Sequence, residues 1–405
     1  MPPQQNTPTP PFNTPPVSPF VTPPPRRKKR PFVVGIIGLL VLGFIVLNLL
    51  GSRGADPNLS DTESALDTST ALPSDSNAAL FLISANIPPP KGWDLPKTED
   101  FLTKNGATLF VYSANWDTIE PSPNQYAMKD VITAAFKGIV PKYPFKGVVL
   151  ILKMIDSNVR TMPPDLKSKA FDDPAVEERF LAMLHAVATS PGVAGNVHYI
   201  LLGNEVDGYF EMHPKELSGF VDLLHKSIDQ LHLDFPGVQV GTITRFDSLK
   251  KPELFRTLTQ HSDFIDYTYY PLGANWRQRP VSDVPGDIAK MAAAAGSKHF
   301  GFTEIGYSAS PKIGSSDQLQ VDFMKAVFEN LHIYRDQVAF INWAGLADSP
   351  DDVCQSYARS QGLPDVDAFC AYAVHNGLRT YDNVPRPAWD VFVQEMQKAK
   401  AGPST

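Results

Sequence analysis

From residue 79 onward, short apolar runs alternate along the chain with longer amphipathic or loop segments. Eight runs are rich in Val, Ile, Phe and Tyr, and we interpret them as strands over residues 79–85, 107–112, 147–153, 197–203, 238–244, 264–269, 299–303 and 338–343. The segments between them include predicted helices over 175–189, 214–232, 287–295 and 318–332. Near-continuous apolar strands that alternate with helices are typical of a parallel sheet whose outer face is covered.

This pattern predicts an α/β fold. About 320 residues with eight strand–helix units fit one (β/α)8 TIM barrel with enlarged loops, occupying residues 79–400. A doubly wound open sheet is the alternative. It is less favoured because residues 86–90, Asn-Ile-Pro-Pro-Pro, follow the first strand where such a fold places a glycine-rich phosphate loop.

The chain before residue 79 has a different character. Residues 1–30 hold eleven prolines in their first 25 positions and end in a basic run at 26–30, which predicts a disordered, proline-rich tail. Residues 31–50 carry no charge and supply the ~20 apolar residues that cross a bilayer core, so we interpret them as a transmembrane helix. A cleaved secretory signal is the alternative, although its apolar region is usually only ~7–15 residues long. Residues 51–78 are rich in Ser, Asp and Thr and predict a flexible linker.

The basic run at residues 26–30 predicts the orientation of the transmembrane helix in the membrane. Basic residues next to a single span favour a cytoplasmic N-terminus. We therefore expect a single-pass protein of the cell membrane that contacts the lipid bilayer through residues 31–50 and exposes its main domain outside the cytoplasm. The chain has 43 acidic against 36 basic side chains and a net charge of −7, which argues against a nucleic-acid partner. Two cysteines are too few for a disulfide-rich scaffold.

Two glutamates stand where predicted apolar strands end. Glu205 follows the fourth strand and Glu304 ends the seventh. A (β/α)8 barrel builds its active site at the carboxyl ends of its strands, so both side chains are expected at one rim. Two carboxylates that face one cleft can divide the work of glycoside cleavage, because one can protonate the leaving oxygen while the other attacks the sugar carbon.

These positions resemble those of the clan A glycoside hydrolases, retaining (β/α)8 enzymes with an acid/base glutamate after strand four and a nucleophilic glutamate after strand seven. The Asn204-Glu205 pair resembles the Asn-Glu motif of the clan. The resemblance implies that Glu205 is the acid/base and that Asn204 contacts the sugar 2-hydroxyl. Residues 303–307, Thr-Glu-Ile-Gly-Tyr, resemble the nucleophile strand, which implies that Glu304 is the nucleophile.

Three further segments resemble the clan in the same chain order. They are residues 116–121, Trp-Asp-Thr-Ile-Glu-Pro, after strand two; residues 267–271, Tyr-Thr-Tyr-Tyr-Pro, at strand six; and the closing turn between 377 and 389. The resemblance spans roughly residues 80–395, and its features are similar to families 53, 5 and 39. The first strand, which ends in Ser-Ala-Asn-Ile at residues 84–87, lacks the basic residue that many members place near strand one or two.

Aromatic residues near the strand ends are candidates for substrate binding. The resemblance implies that a strand-six tyrosine hydrogen-bonds the nucleophile. Because Tyr269 and Tyr270 point to opposite faces of a strand, we assign Tyr269 to this role and Tyr270 to packing. Trp343 is expected to form the floor of the sugar site, since flat aromatic rings pack well on sugar C–H faces, with a core position as the alternative. Trp116 and Trp276 are candidates for outer subsites or for pinning their own loops.

The remaining chemistry is sparse. Cys354 and Cys370 lie in a long insertion after strand eight, where an oxidising compartment favours a disulfide; two free buried thiols are the alternative. No His or Cys spacing suits zinc, so we expect neither a metal nor a cofactor. Glu120 is expected to hold its own loop.

The sequence therefore predicts a membrane-anchored retaining β-glycosidase that hydrolyses O-glycosidic bonds of a carbohydrate by double displacement. Two alternatives remain open. One is a non-catalytic glycan-binding protein of the cell envelope on the same scaffold. The other is a transglycosidase that passes the glycosyl group to a second sugar.

Overall fold

The computed structural model describes residues 81–85, 88–273 and 276–401. The predicted tail, transmembrane helix and linker at 1–30, 31–50 and 51–78 lie outside these residues. None of the helices that the structure describes combines the length and hydropathy needed to cross a bilayer.

Strands form the centre of the fold, and all but one of those described pair in parallel. They are β1 (Leu82–Ser84), β2 (Leu109–Asn115), β3 (Gly147–Asp156), β4 (Val159–Arg160), β5 (Tyr199–Asn204), β6 (Gln239–Gly241), β7 (Ile243–Arg245), β8 (Ile265–Tyr269), β9 (Phe300–Ile305) and β10 (Val338–Trp343). The strands form two hydrogen-bonded runs. In one, neighbouring strands are ordered β1-β10-β9-β8-β7, and in the other β2-β3-β5-β6, while the short β4 pairs antiparallel with β3.

The two runs close into a barrel of eight strands. β6 and β7 are two parts of one strand, interrupted only at Thr242. On the opposite side, the Thr108 amide donates to the Ile83 carbonyl at 3.1 Å, and the Ile83 amide donates to the Thr108 hydroxyl at 3.2 Å, which joins β1 to the start of β2. The eight predicted strands and the predicted (β/α)8 fold are confirmed.

Helices connect the strands and are bounded by ordinary capping chemistry. Asp173 accepts from the Ala175 amide at 2.9 Å ahead of Pro174, and Ser316 accepts from the Leu319 amide at 3.2 Å. The helices are α1 (Leu95–Lys104), α2 (Trp116–Ile119), α3 (Ala134–Gly138), α4 (Pro174–Ala188), α5 (Val206–Met212), α6 (Leu217–Asp234), α7 (Pro252–Thr259), α8 (Val284–Ala295), α9 (Asp317–Leu331), α10 (Asp351–Ser360), α11 (Val366–Ala373) and α12 (Pro387–Ala401).

Apolar packing separates the inside of the barrel from its outside. Residues on or next to the strands, among them Ile151, Leu201 and Phe340, fill the interior. Gly301 is required there, because a Cβ at this position would lie 2.7 Å from the Phe340 ring. Two larger clusters, one on each side of the barrel, pack the strands against the surrounding helices.

An insertion after β10 forms a pair of short helices, α10 and α11. A disulfide joins Cys354 on α10 to Cys370 on α11, as predicted. The two sulfurs pack with Ala358 in a small apolar cluster of their own. We call residues 351–373 the stapled hairpin.

Candidate active site

Glu205 occupies a strained backbone position directly after β5. Its φ and ψ angles are 47° and 40°, in the left-handed region that L side chains rarely adopt. Gly203, two residues earlier, has a φ of 89°, and a Cβ there would lie 2.5 Å from the Val206 side chain. Strain of this kind is concentrated at functional sites, where the surrounding structure holds it in place.

Two hydroxyl groups hold the Glu205 carboxylate. Thr268 on β8 donates to Oε1 at 2.7 Å, and Ser157, which follows β3, donates to Oε2 at 2.8 Å. Ser157 also has a left-handed backbone, with a φ of 53°. The two hydroxyls therefore fix the position of the Glu205 carboxylate.

Glu304 lies on β9 beside the same strand. A register shift between β8 and β9 pairs Tyr267 with Phe302 and then Thr268 with Glu304, so that Thr303 is passed over. Thr268 is therefore the strand partner of Glu304 as well as the donor to Glu205. The Tyr270 hydroxyl donates to Glu304 Oε2 at 2.8 Å. One strand thus contacts both glutamates.

The two carboxyl groups are electrostatically linked. Burial raises the pKa of Glu304 to about 8, and the Glu205 charge adds to this rise, against the opposing effects of the Tyr270 hydroxyl and the Lys153 ammonium. Glu304 therefore holds its proton at a higher pH than an ordinary glutamate does. Neighbouring carboxyl groups can divide the roles of acid and nucleophile between them.

A buried polar cluster lies next to this pair. Lys153 Nζ and Asp156 Oδ2 are 2.7 Å apart, and Asn204 Nδ2 donates to Asp156 Oδ1 at 3.0 Å. The Asn204 Oδ1 atom is buried and has no hydrogen-bond partner among the described residues. Asn204 can therefore accept a hydrogen bond from a bound hydroxyl group.

Sequence reasoning missed Lys153. It supplies from strand three a positive charge near Glu304, whereas no basic residue ends the first strand. Strand alternation could have identified Lys153. Side chains two residues apart on a strand point to the same face, so Lys153 points to the barrel interior as Val149 and Ile151 do.

Asp266 is a second buried acid on β8. Its Oδ1 accepts from the Thr303 hydroxyl at 2.5 Å and from the Thr303 amide at 3.2 Å. Burial raises the pKa of Asp266 to about 8, and the Glu304 charge contributes to this rise. Burial therefore favours the neutral form of Asp266.

The assignment of the strand-six tyrosines was wrong. Tyr269 is fully buried on the outer side of the barrel, where its hydroxyl donates to Asp287 of α8 at 3.0 Å. Tyr270, expected to be a packing residue, is the tyrosine that contacts Glu304. Burial, together with the Glu304 and Glu205 charges, raises the pKa of Tyr270 well above its usual value, so it acts as a neutral donor.

Two predicted substrate-binding tryptophans are structural instead. Trp343 is 1% exposed and packs on Phe323 of α9 and Phe392 of α12, so it faces the helices and not the sugar site. Trp116 is fully buried, and its Nε1 donates to Glu120 Oε2 at 2.8 Å. The expectation that Glu120 holds its own loop is confirmed, since its Oε1 also accepts from the Asn124 amide at 2.7 Å.

Trp276 lies in the loop after β8 and packs on the stapled hairpin. It is half-buried, with a φ of 58°, and its ring packs edge-on against Phe369 of α11 at 4.9 Å and stacks near Tyr372 at 6.2 Å. Tyr372 in turn meets Tyr270 edge-on at 5.8 Å. A role for Trp276 in an outer subsite stays a prediction.

The stapled hairpin adds a residue that sequence reasoning did not find. Tyr357 of α10 lies against the Ser157 side chain and within the field of Asp156, Glu205 and Glu304, and burial together with these charges raises its pKa well above the usual value. An insertion of unpredicted shape gave no signal for this contact.

Within the described ranges, no group of three or more His, Cys, Asp or Glu side chains could hold a metal ion.

Comparison with known proteins supports the fold. No family model and no curated protein matches the chain. An exo-beta-1,4-mannosidase from Opitutaceae bacterium strain TAV5 has a similar structure, with a TM-score of 0.61 and 16% identity over 82% of this chain and 62% of that one. A GH5_18 protein from Bifidobacterium longum subsp. infantis gives a TM-score of 0.59 and 12% identity over 81% of this chain and 80% of that one.

A third similar structure contains a sugar. It is a variant of a GH5_18 protein from Streptomyces cattleya in complex with Manb1-4GlcNAc, with a TM-score of 0.53 and 15% identity over 74% of this chain and 73% of that one. At such low identities the similarity concerns the fold. The fold that these structures share with the chain is the (β/α)8 barrel predicted from the sequence.

Proposed function

We propose that this protein is a retaining β-glycosidase with Glu205 and Glu304 as its catalytic carboxyl groups. The observation that carries the proposal is the linked pair itself. The two groups lie at the ends of strands four and seven of the barrel and accept hydrogen bonds from Thr268 and Tyr270 at the end of strand six. Burial, with a contribution from the Glu205 charge, raises the pKa of Glu304 to about 8. Water and a glycosidic bond are the reactants on which such a pair acts without a cofactor.

The reaction proceeds by double displacement. The protonated carboxyl group delivers its proton to the glycosidic oxygen while the ionised carboxylate attacks the anomeric carbon, which breaks the glycosidic bond and forms a glycosyl-enzyme ester. The first group, now ionised, then removes a proton from water, and the resulting attack on the anomeric carbon releases the sugar and restores both groups. Retention follows from two inversions at one carbon.

The resemblance supports Glu205 as the acid/base and Glu304 as the nucleophile. In the substrate-free site, burial raises the pKa of Glu304 to about 8. Catalysis with these roles therefore requires Glu304 to be ionised once substrate is bound. Reversed roles are the second assignment, and the raised pKa of Glu304 is the observation that favours them.

The substrate we propose is a β-linked gluco- or manno-configured sugar. The similar structures are named as an exo-beta-1,4-mannosidase and a beta-glucosidase, and one holds Manb1-4GlcNAc. In this chain, the unpaired Asn204 Oδ1 and the adjacent Asp156–Lys153 pair offer an acceptor and charged groups to sugar hydroxyls. Glucosides and mannosides differ in the orientation of one such hydroxyl, at C2.

The test is hydrolysis by the full-length protein in detergent. 4-Nitrophenyl β-D-glucoside, β-D-mannoside and β-D-galactoside form the panel, with Glu205→Gln and Glu304→Gln as variants. Wild-type release of nitrophenol that both variants lose by ~10³-fold or more supports the proposal. Sugar binding without release by a folded wild-type protein contradicts it and favours the glycan-binding alternative.

The two role assignments are separated by azide rescue. In Glu205→Ala and Glu304→Ala, azide restores activity in place of the missing group. The acid/base variant yields a β-glycosyl azide and the nucleophile variant an α-glycosyl azide, as NMR shows. An α-azide from Glu205→Ala would reverse the assignment.

We also propose that residues 31–50 anchor the protein in the cell membrane with the barrel outside the cytoplasm. The uncharged run, the basic run before it and the paired cysteines support this placement. Protease added to intact cells should digest the barrel. Resistance of the barrel in intact cells, together with digestion after lysis, would place it inside.

A further inference from the structure

The stapled hairpin contacts the barrel mouth at strand three. The Asn158 amide donates to Gln361 Oε1, in the hairpin between α10 and α11, at 3.4 Å. Tyr357, four residues earlier, lies against Ser157. Ser157 and Asn158 form the turn that follows β3, so this arm of the hairpin reaches the side of the mouth next to Glu205.

The other arm contacts the mouth at strand six. Phe369 meets Trp276, in the loop after β8, with ring centroids 4.9 Å apart. Tyr372 meets Tyr270, at the end of β8, with centroids 5.8 Å apart. Phe369 also approaches Tyr357 at 6.2 Å, so aromatic rings connect the two arms.

The hairpin is fixed in this position. The Ser308 hydroxyl donates to the Tyr372 carbonyl at 2.7 Å, and the Ala309 amide donates to the His375 carbonyl at 2.9 Å. The disulfide lies close to both contact points, because Cys354 precedes Tyr357 by three residues and Cys370 precedes Tyr372 by two. Closing this loop restricts the separation of the two arms.

Strands three and six are three places apart in the ring of eight, so a bridge between them crosses the mouth. Cleavage within a polysaccharide needs an open groove on both sides of the carboxylate pair. We propose that the stapled hairpin closes one side of this cleft and limits the enzyme to terminal sugar residues, with Tyr357 as the specificity-determining side chain that contacts the terminal sugar. This inference rests on the glycosidase function proposed above.

The product pattern of the wild-type protein is the first test. The protein is incubated with β-1,4-mannohexaose and with cellohexaose, and products are resolved by anion-exchange chromatography at early conversion. We expect monosaccharide and pentaose alone. Disaccharide, trisaccharide and tetraose appearing from the start would overturn the inference while leaving the glycosidase function intact. Failure to release any sugar from the hexaoses and the nitrophenyl glycosides would refute the glycosidase function itself.

Variants test the hairpin. Cys354→Ser/Cys370→Ser frees the two arms, and we expect early products of intermediate length that the wild type does not form. Tyr357→Ala keeps the disulfide and should lower kcat/KM on the nitrophenyl glycoside about tenfold through the loss of one sugar contact. Arg359→Ala is the matched control, because this side chain bonds Gln355 on the exposed face of the same helix, and its activity should stay unchanged.

Circular dichroism and thermal melting show whether each variant folds. If the double serine variant unfolds, the comparison of kcat/KM between Tyr357→Ala and Arg359→Ala tests the inference instead. Equal activity of Tyr357→Ala and wild type, or an unchanged product pattern in a folded double serine variant, would show that the hairpin does not set the specificity.

Discussion

Replacing Tyr270 by phenylalanine isolates one hydrogen bond of the active site. The phenol donates to Glu304 Oε2 at 2.8 Å, and the remaining ring keeps its edge-on contact with Tyr372. Because the hydroxyl stabilises the ionised form of Glu304, its removal raises the pKa of a group that burial already raises to about 8.

The magnitude follows from the type of bond. A hydrogen bond to a charged group contributes ~1.5–3 kcal/mol, which corresponds to about 1–2 pKa units at 1.36 kcal/mol per unit. A nucleophile must be ionised, so the acidic limb of the kcat/KM profile should move to higher pH by about this amount. At neutral pH, kcat/KM should fall ~10–100-fold.

Tyr269→Phe is the matched control. It removes a hydroxyl that donates to Asp287, which keeps its contact with Arg279 at 2.7 Å, on the outer side of the barrel. We expect a lower melting temperature and an unchanged pH profile. The assay is kcat/KM for a nitrophenyl glycoside as a function of pH. An unmoved acidic limb in Tyr270→Phe, or an equal shift in both variants, would refute the reasoning.

Two further predictions concern buried charge. Lys153→Met leaves Asp156 as an unpaired buried carboxylate, so the free energy of unfolding in a urea titration should fall by ~3–5 kcal/mol; a loss below ~1 kcal/mol would mean that water already solvates the pair. Burial raises the pKa of Glu99 on α1 to about 8, above its unfolded value, so its contribution to stability is complete below the unfolded pKa and is lost as the pH rises through about 8. In Glu99→Gln the melting temperature should therefore decline less between acidic and mildly alkaline pH than in the wild type, and parallel curves would contradict this.

The barrel was predictable because its strands are buried on both faces. Such strands read as continuous apolar runs, and β3 and β5 are buried along their whole length. The placement of Glu205 and Glu304 followed from the same runs, since a charged residue at the end of a buried strand marks the rim of the barrel. Structure was needed for the strain at Glu205 and for the register shift before Glu304.

The error at the strand-six tyrosines could have been avoided. Asp266, Thr268 and Tyr270 share one parity, and the structure shows that their side chains contact the active site or the interior. Tyr267 and Tyr269 share the other parity and bond to α8. The polar residues at alternate positions indicated which side chains of the strand face the interior. Our assignment placed the other set there.

The functional part of the stapled hairpin was beyond sequence reasoning. The pairing of Cys354 with Cys370 was accessible from their isolation in one insertion. The approach of Tyr357 to Ser157 was not, because it joins residues 200 positions apart through a loop whose path no periodic pattern determines.

Strand six also bears on how this protein could be altered. Thr268 on this strand donates to Glu205, and Tyr270, the residue after the strand, donates to Glu304. The relative position of the two carboxyl groups, whose separation decides whether a glycosidase retains or inverts configuration, is thus tied to one short backbone segment. Grafting a different loop in place of the hairpin should change which sugars enter and leave the stereochemical outcome as it is.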